Sequence, residues 1–481
     1  MWNRLPFSKY LKFQFVVECK MEDRDSFFAA CKTTASEIIN LSSSPIYIFT
    51  HFDPDGLTAG SIIACALRRE NKPFILRVLK RLEYSYLRIV CETIPENSTV
   101  IFCDLGSGVI DAFLEWDKSV QIFILDHHSI ARKYDLPENI RLINPHIYSI
   151  DGTSAISGSG VAYFVAININ PINKDLAHLA IIGALGDRQD QGENSSLIGL
   201  NQLIMKSAAE NKICTDYVSL WFFDRSRDLL SILRRLNIDG LEDDVSISLF
   251  LMEIGLSSGN KARRKTFYDL NEPEKKKLAS ELIVKFMVDS KEIYKHDYQI
   301  INEKDKSLQD ARVYASRLNA CGRLDHPEVA IALCMGDKQQ ALAELDPIKK
   351  EYSKKIGEGI RYFLSEGKIQ DQTAIYFLDG RGAINENLIG PITSVISSIN
   401  EYKSKPVLSC AMIDETRVKI SSRKNHSFKK NIDLDKILVR AIDKLELITE
   451  VGGHSSAAGA IIENSRLENF VDTVNALIME V

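Results

Sequence analysis

Acidic and imidazole side chains recur in four short segments of this chain. They are His51, Asp53 and Asp55 in His51-Phe52-Asp53-Pro54-Asp55-Gly56, Asp104 behind Ile101-Phe102-Cys103, the triplet Asp126-His127-His128, and Asp187 closing Gly183-Ala184-Leu185-Gly186. Taken singly, each has an ordinary structural explanation: an Asp after a strand starts a loop or caps a helix, and Asp-Pro-Asp-Gly is good turn chemistry. Taken together they would need four unrelated explanations. Four carboxylates meeting in one place repel: a like-charged pair at about 4 Å costs about 4 kcal/mol even at an effective dielectric of about 20. Two divalent metals would cancel four negative charges. The imidazole of His127 adds a nitrogen donor, a mixture that suits manganese. The chemistry expected of such a set is metal-assisted hydrolysis.

Short apolar runs stand in front of these residues. Ile46–Phe49, Val100–Phe102 and Ile122–Leu125 read as buried strands, and acids at strand ends lie at the carboxyl edge of a parallel sheet, where open α/β folds keep their sites. From Pro45 to about Asn211 strand and helix patterns alternate: strand Ile46–Phe49, helix Leu57–Arg69, strand Phe74–Leu79, helix Tyr84–Ile94. Such alternation implies parallel strands covered by helices on both faces. Ser157-Gly158-Ser159-Gly160-Val161 opens a further helix with small residues, allowing close packing on the sheet or near a phosphate. Strand alternation turns Cys103 away from Asp104, which argues against a thiol nucleophile.

At 481 residues the chain exceeds one ordinary core, so two domains or a little more are expected. The apolar stretches fall short of the ~20 residues of a membrane helix. Charged residues scattered through Met1–Lys20 break any signal-peptide core, so the expectation is a cytoplasmic protein without membrane partners. The nine cysteines include no Cys-x-x-Cys pair, and buried free thiols explain them better than disulfides or zinc. A net charge of −5 does not advertise nucleic-acid binding, but local charge matters more. Between Arg417 and Ile432 stand Arg417, Lys419, Arg423, Lys424, Lys429 and Lys430, with His426 and no acid. Such a run, usually a solvated face, suits phosphate contact here because it contains Ser421-Ser422-Arg423.

In chain order, His-x-Asp-x-Asp-Gly, Asp104, Asp-His-His, Asn144-Pro145-His146 and Gly-x-x-x-Asp resemble the motifs of the DHH phosphoesterase superfamily. The second half agrees. Asn319-Ala320-Cys321-Gly322-Arg323 resembles the Asn-Ala-x-Gly-Arg motif of RecJ-type nucleases, Ser421-Ser422-Arg423 their Ser-x-Arg element, and Gly452-Gly453-His454-Ser455-Ser456-Ala457-Ala458-Gly459 the signature of the DHH-associated domain. Ile150-Asp151-Gly152 and Gly186-Asp187-Arg188-Gln189-Asp190 look most like the archaeal RecJ-like branch, which includes the GINS-associated nuclease.

This resemblance implies an α/β fold with a parallel-sheet DHH domain (42–215), a smaller α/β DHH-associated domain (309–481) and a cleft between domains; residues 1–41 stand outside it as an N-terminal extension, and the spacing of Leu229, Leu230, Leu233 and Leu236 reads 216–308 as a helical connector. The resemblance implies two manganese ions, with magnesium as the alternative, held by His51, Asp53, Asp55, Asp104, His127 and Asp187, with Asp104 bridging. Asp126 would orient a histidine and His128 would meet the scissile phosphate. Asn319, Arg323, Ser421, Arg423, Gly452, Gly453 and His454 would clamp the strand, the glycine amides facing an anion as at helix N-termini and nests. The activity expected is 5′→3′ exonucleolytic hydrolysis of single-stranded DNA to mononucleotides in replication or repair. The alternatives are a 3′→5′ exonuclease or oligonucleotide phosphodiesterase acting also on RNA, and a replisome component bound to GINS and the replicative helicase. Since no metal-motif position departs from the pattern, a purely non-catalytic scaffold is disfavoured.

Overall fold

Five apolar runs bounded by turn residues build the first sheet: β1 (Ile46–His51), β2 (Phe74–Leu79), β3 (Thr99–Cys103), β4 (Gln121–Leu125) and β5 (Ile140–Ile143). All pair in parallel, in the order β2-β1-β3-β4-β5. The computed structural model describes residues 21–41, 45–116, 119–130, 132–225, 227–236, 238–256, 265–365, 368–425, 428, 432–447 and 451–480. Phe13–Val17, whose pattern suggests a strand, and the basic residues Lys261, Arg263, Arg264, His426, Lys429 and Lys430 lie outside these.

Parallel strands need crossovers, and helices supply them on both faces. Seven helices belong here: α1 (Met21–Asn40), α2 (Pro54–Arg69), α3 (Tyr84–Thr93), α4 (Ile110–Phe113), α5 (Gly158–Ile169), α6 (Ala177–Gly186) and α7 (Gly199–Glu210). Strand alternation sorts the side chains between two cores. Ile48, Ile101 and Cys103 pack with Phe27, Leu57, Val161 and Ile181, while Phe49 and Phe102 pack on the opposite face with Leu87, Phe113 and Trp116. Cys103 is fully buried, and burial pushes its thiol pKa far up, which removes it as a nucleophile.

The middle of the chain is not purely helical. Strands β6 (Cys214–Leu220) and β7 (Tyr294–Ile300) form an antiparallel ribbon, with α8 (Leu229–Arg235), α9 (Asp244–Glu253), α10 (Glu272–Phe286) and α11 (Ser290–Ile293) between them. These helices have their own core around Leu233, Ile247, Phe250 and Leu278.

Four helices follow: α12 (Lys306–Gln309), α13 (Ala311–Arg323), α14 (Pro327–Cys334) and α15 (Lys338–Leu364). Leu318, Cys321, Leu333 and Leu345 from this group join the core under the first sheet, so residues 311–364 pack with the part of the fold that precedes them. The second sheet comes afterwards, from β8 (Ile369–Asp371), β9 (Tyr376–Asp379), β10 (Val407–Met412), β11 (Arg417–Arg423), β12 (Val451–His454) and β13 (Ala457–Glu463), in the order β12-β13-β11-β10-β9-β8. Helices α17 (Leu434–Lys444) and α18 (Leu467–Met479) cover one face through Leu438, Phe470 and Val474, while α16 (Glu386–Ile396) lies on the other. The molecule is thus a mixed α/β protein with a parallel sheet in its first half and a smaller α/β unit at its C-terminus. Among the described residues no helix is long and apolar enough to cross a membrane.

Candidate metal centre

Three of the strand ends deliver side chains to one edge of the parallel sheet. His51 closes β1, Asp104 follows β3, and Asp126, His127 and His128 follow β4. The three remaining acids sit at helix ends instead of strand ends. Asp55 lies in the first turn of α2, with Asp53 as that helix's N-cap, and Asp187 is the C-cap of α6. Two helix termini therefore complete a site that three strands begin. Asp104 holds a left-handed backbone (φ 57°), a conformation Asp tolerates better than most residues.

These side chains gather into two adjacent donor sets. His51, Asp53 and Asp104 form one; Asp55, His127 and Asp187 form the other; Asp104, His127 and His128 make a third group that joins them. Asp104 lies between them. Its Oδ2 is 3.5 Å from His51 Nδ1, and its Oδ1 is 3.3 Å from His127 Nε2. His51 Nδ1 is also 3.0 Å from Asp53 Oδ2, and His127 Nε2 is 3.3 Å from Asp187 Oδ2 and 3.7 Å from Asp55 Oδ2.

Surrounding groups fix how each donor points. The His127 Nδ1–H donates to Gly152 O at 2.6 Å, which leaves Nε2 to face the three carboxylates. Gln189, fully buried, donates to the same carbonyl at 2.9 Å, and Asn201 donates in turn to Gln189 Oε1. Asp55 accepts from the Gly158 and Ser159 amides at 2.6 and 3.0 Å. The small residues that open α5 therefore serve a buried carboxylate, not a phosphate. A Cβ on Gly183 would stand 2.4 Å from Asp55 Oδ1, so α6 can approach only because that position has none. Asp126 accepts from the amides of Ser107, His127 and His128 and from His128 Nδ1 at 2.7 Å. It faces the backbone and His128 rather than the two donor sets.

The chemistry of the set calls for cations. Both oxygens of Asp104, His51 Nδ1 and His127 Nε2 are buried without a hydrogen-bond partner. Such atoms are costly unless something binds them. Without a metal, protons must do this work. Burial disfavours the charged form of His51, but Asp53 and Asp104 outweigh it and raise its pKa to about 10. Burial, then Asp104 and Asp187, pushes Asp55 up to about 8. Burial likewise lifts Asp187 to about 6, with Asp53 and Asp104 adding to the shift. A pair of divalent ions fits this donor set without those protons.

The strand-clamp candidates approach from two places. Arg323, at the end of α13, stacks over the Phe52 ring at 4.9 Å and bonds Asn319 Oδ1 and Asn387 O. Gly322 makes this possible: a Cβ there would stand 1.8 Å from Phe52 O. Arg423, on β11, donates to Ser394 Oγ and Ser422 O. Its guanidinium is pressed below its usual pKa by burial, then by Arg188 and Arg323. Ser421 is buried beside it on the same strand. Gly452, Gly453 and His454 lie in β12, an edge strand paired with β13, so the glycine pair opens a hairpin and not a helix N-terminus.

Several contributors carried no signal of period or composition. Gln189 shares the Gly152 carbonyl with His127 and lies 3.4 Å from His127 Nδ1, and Asn201 acts through Gln189. Arg188 adds a cation beside Arg423, and Arg312 grips Asp190 at 2.6 Å while stacking on Tyr298 and Trp221. Gln189 and Arg188 stand inside the Gly-Asp-Arg-Gln-Asp segment, where the family pattern was the available pointer.

Comparison with known proteins agrees with this geometry. Residues 45–184 match the DHH family, N-terminal domain, and residues 389–480 match the DHHA1 domain. The chain is 30% identical over 440 residues to the uncharacterized protein MJ0831 of Methanocaldococcus jannaschii, covering 90% of this chain and 93% of that one. In fold it is similar to RecJ from Thermus thermophilus in complex with Mn2+, with a TM-score of 0.58, 17% identity and 95% of this chain covered. It spans 55% of that RecJ's length. CDC45 from Entamoeba histolytica gives a TM-score of 0.60 at 12% identity, covering 95% of this chain and 99% of that one.

Proposed function

We propose, for a chain that belongs to the DHH family of phosphoesterases, the activity of a metal-dependent exonuclease that digests single-stranded DNA from the 5′ end to mononucleotides in replication or repair. The observation that carries this reading is the pair of donor sets linked through Asp104, faced by arginines that no described carboxylate neutralises. Arg188, Arg323 and Arg423 form no ion pair among the described residues, although they lie within electrostatic reach of one another or of Asp53. Uncompensated cations beside a metal centre suit a phosphodiester.

His51, Asp53 and Asp104 would hold one ion and Asp55, His127 and Asp187 the other, with Asp104 common to both. Two Mn2+ or Mg2+ ions bound there supply a nucleophile at neutral pH and offset charge on the reacting phosphate. The chain's own residues do the rest. Gly152 and Gln189 keep His127 in the tautomer that presents Nε2. Asp126 holds His128, half exposed at the rim, where it can donate to a phosphate oxygen. Arg323 and Arg423 fork onto the phosphate from the C-terminal side, and Asn319 steadies Arg323. The fold of the Thermus RecJ, bound to Mn2+, supports the choice of ion.

Labelled single-stranded DNA, single-stranded RNA and duplex DNA incubated with Mn2+ test this reading. Stepwise loss of nucleotides from the single-stranded DNA is the expected result. Attack confined to dinucleotides or to duplex would overturn it.

A further inference from the structure

Side chains alternate along β11, and its two faces differ in kind. Val418 and Ile420 are buried in the core that α17 and α18 cover, whereas Arg417, Lys419, Ser421 and Arg423 share the opposite face. On the neighbouring strand Gly459 stands opposite Ser421 and Ala457 opposite Arg423, and on β12 Gly452 stands opposite Gly459. Gly452, Ala457 and Gly459 make a floor of small residues on this face, beside α16, which packs against Ser421 and Arg423. Gly452 is exposed, and a Cβ on it would meet nothing within 4 Å.

The cations on that face are not equivalent. Arg417 is neutralised by Asp414 at 2.8 Å and Glu83 at 3.1 Å. Arg81 is paired with Glu386. The Lys419 side chain forms no ion pair or hydrogen bond among the described residues. The charged groups around it are Arg323, Glu386, Arg81 and Arg423, and Glu386, the one acid among them, is already taken by Arg81. Burial, then Arg323, lowers its pKa to about 7, so the place resists an ammonium that an anion beside it would favour. Nothing among the described residues offsets that.

We infer that Lys419 binds a further phosphate of the substrate strand, two along from the one held by Arg423. Two residues along a β-strand span about 7 Å, the order of separation of successive phosphates on an extended polynucleotide. Arg423 and Lys419 lie two such steps apart on one face, with the buried Ser421 between them, so a strand running beside β11 meets a cation at every second phosphate. The row ends at Lys419 because Arg417 is already paired. This inference rests on the single-strand reading given above.

The test is binding of a fluorescent single-stranded 12-mer to the full chain in Ca2+, followed by anisotropy across a range of NaCl concentrations. Lys419→Gln should lower affinity about tenfold at low salt. It should also reduce the slope of log K against log salt by about 0.7, the increment for one phosphate contact on a single strand. Lys419→Arg should restore the slope. The melting temperature of Lys419→Gln should equal or exceed that of wild type, since an unpaired cation is removed; a lower one would mark Lys419 as a structural ion-pair partner and overturn the inference. Wild-type slope and affinity in Lys419→Gln would overturn it while leaving the nuclease reading in place. A wild-type protein that binds no single strand would overturn both.

Discussion

His51, Asp55 and Asp187 hold protons in the metal-free protein that they do not hold when unfolded. Their folded pKa values of about 10, 8 and 6 all lie above the ordinary 6.5, 3.8 and 3.8. The folded state therefore binds more protons than the unfolded one, and stability falls as pH rises through these values. For the two carboxyls the loss runs from about pH 4 to 8, and for His51 from about 6.5 to 10. Metal-free protein should melt at progressively lower temperature between about pH 6 and 9. Mn2+, which binds only the folded chain, should raise the melting temperature, and by more at about pH 9 than at about pH 6. Calorimetry with and without Mn2+ reads this, and a constant gap across the range would count against the donor set. The clamp arginines should behave otherwise. Arg323→Ala or Arg423→Ala each loses a charge-assisted contact of about 1.5–3 kcal/mol, so single-strand affinity should fall roughly ten- to a hundredfold. Melting temperature in Mn2+ should change little by comparison. Unaltered affinity in both variants would remove β11 and α13 from the substrate path.

At the scale of elements, the critical contact is α13 against the loop after β1. Gly322→Ala would drive a methyl group into Phe52 O and push α13 away from His51 and Asp53. A stability loss of about 1–3 kcal/mol is expected for such overpacking, together with a fall in turnover. A Gly322→Ala protein with wild-type melting and turnover would show that the close approach is not needed. The strands of the first sheet were legible because each is an apolar run ending at a polar residue, as Ile46–Phe49 and Ile122–Leu125 are. The ribbon was not: Tyr294-Lys295-His296-Asp297-Tyr298-Gln299-Ile300 interleaves charge with bulk, and its buried Asp297 is satisfied by Arg225, a partner 72 residues away in sequence. Asp187 could be picked out as a site residue but not placed on a helix end. Its approach to His127 is set by α6 packing under the sheet, which no local pattern encodes. Likewise Gly452-Gly453 lies in a strand paired with Ala458 and Gly459, a placement that a pair of glycines does not announce.

In the whole molecule, a parallel sheet offers the acids from its edge, and a second sheet and one long-range helix bring the cations to meet them. That arrangement suits one strand passing between the halves, and it makes end polarity a matter of which terminus reaches beyond the ions. Capping the 5′ end of a labelled single strand should stop digestion and capping the 3′ end should not; the reverse pattern would invert the direction while leaving the metal chemistry untouched. The account depends most on Asp104, whose two oxygens divide between the donor sets. Its central test is the rate of single-strand hydrolysis by Asp104→Ala at saturating Mn2+, measured beside the affinity of the same protein for the strand. The expected outcome is a loss of about a hundredfold or more in rate, since even an outer partner of a metal ligand is felt on that scale, with affinity for the strand largely kept. Hydrolysis by Asp104→Ala at near the wild-type rate would contradict the shared two-metal centre outright.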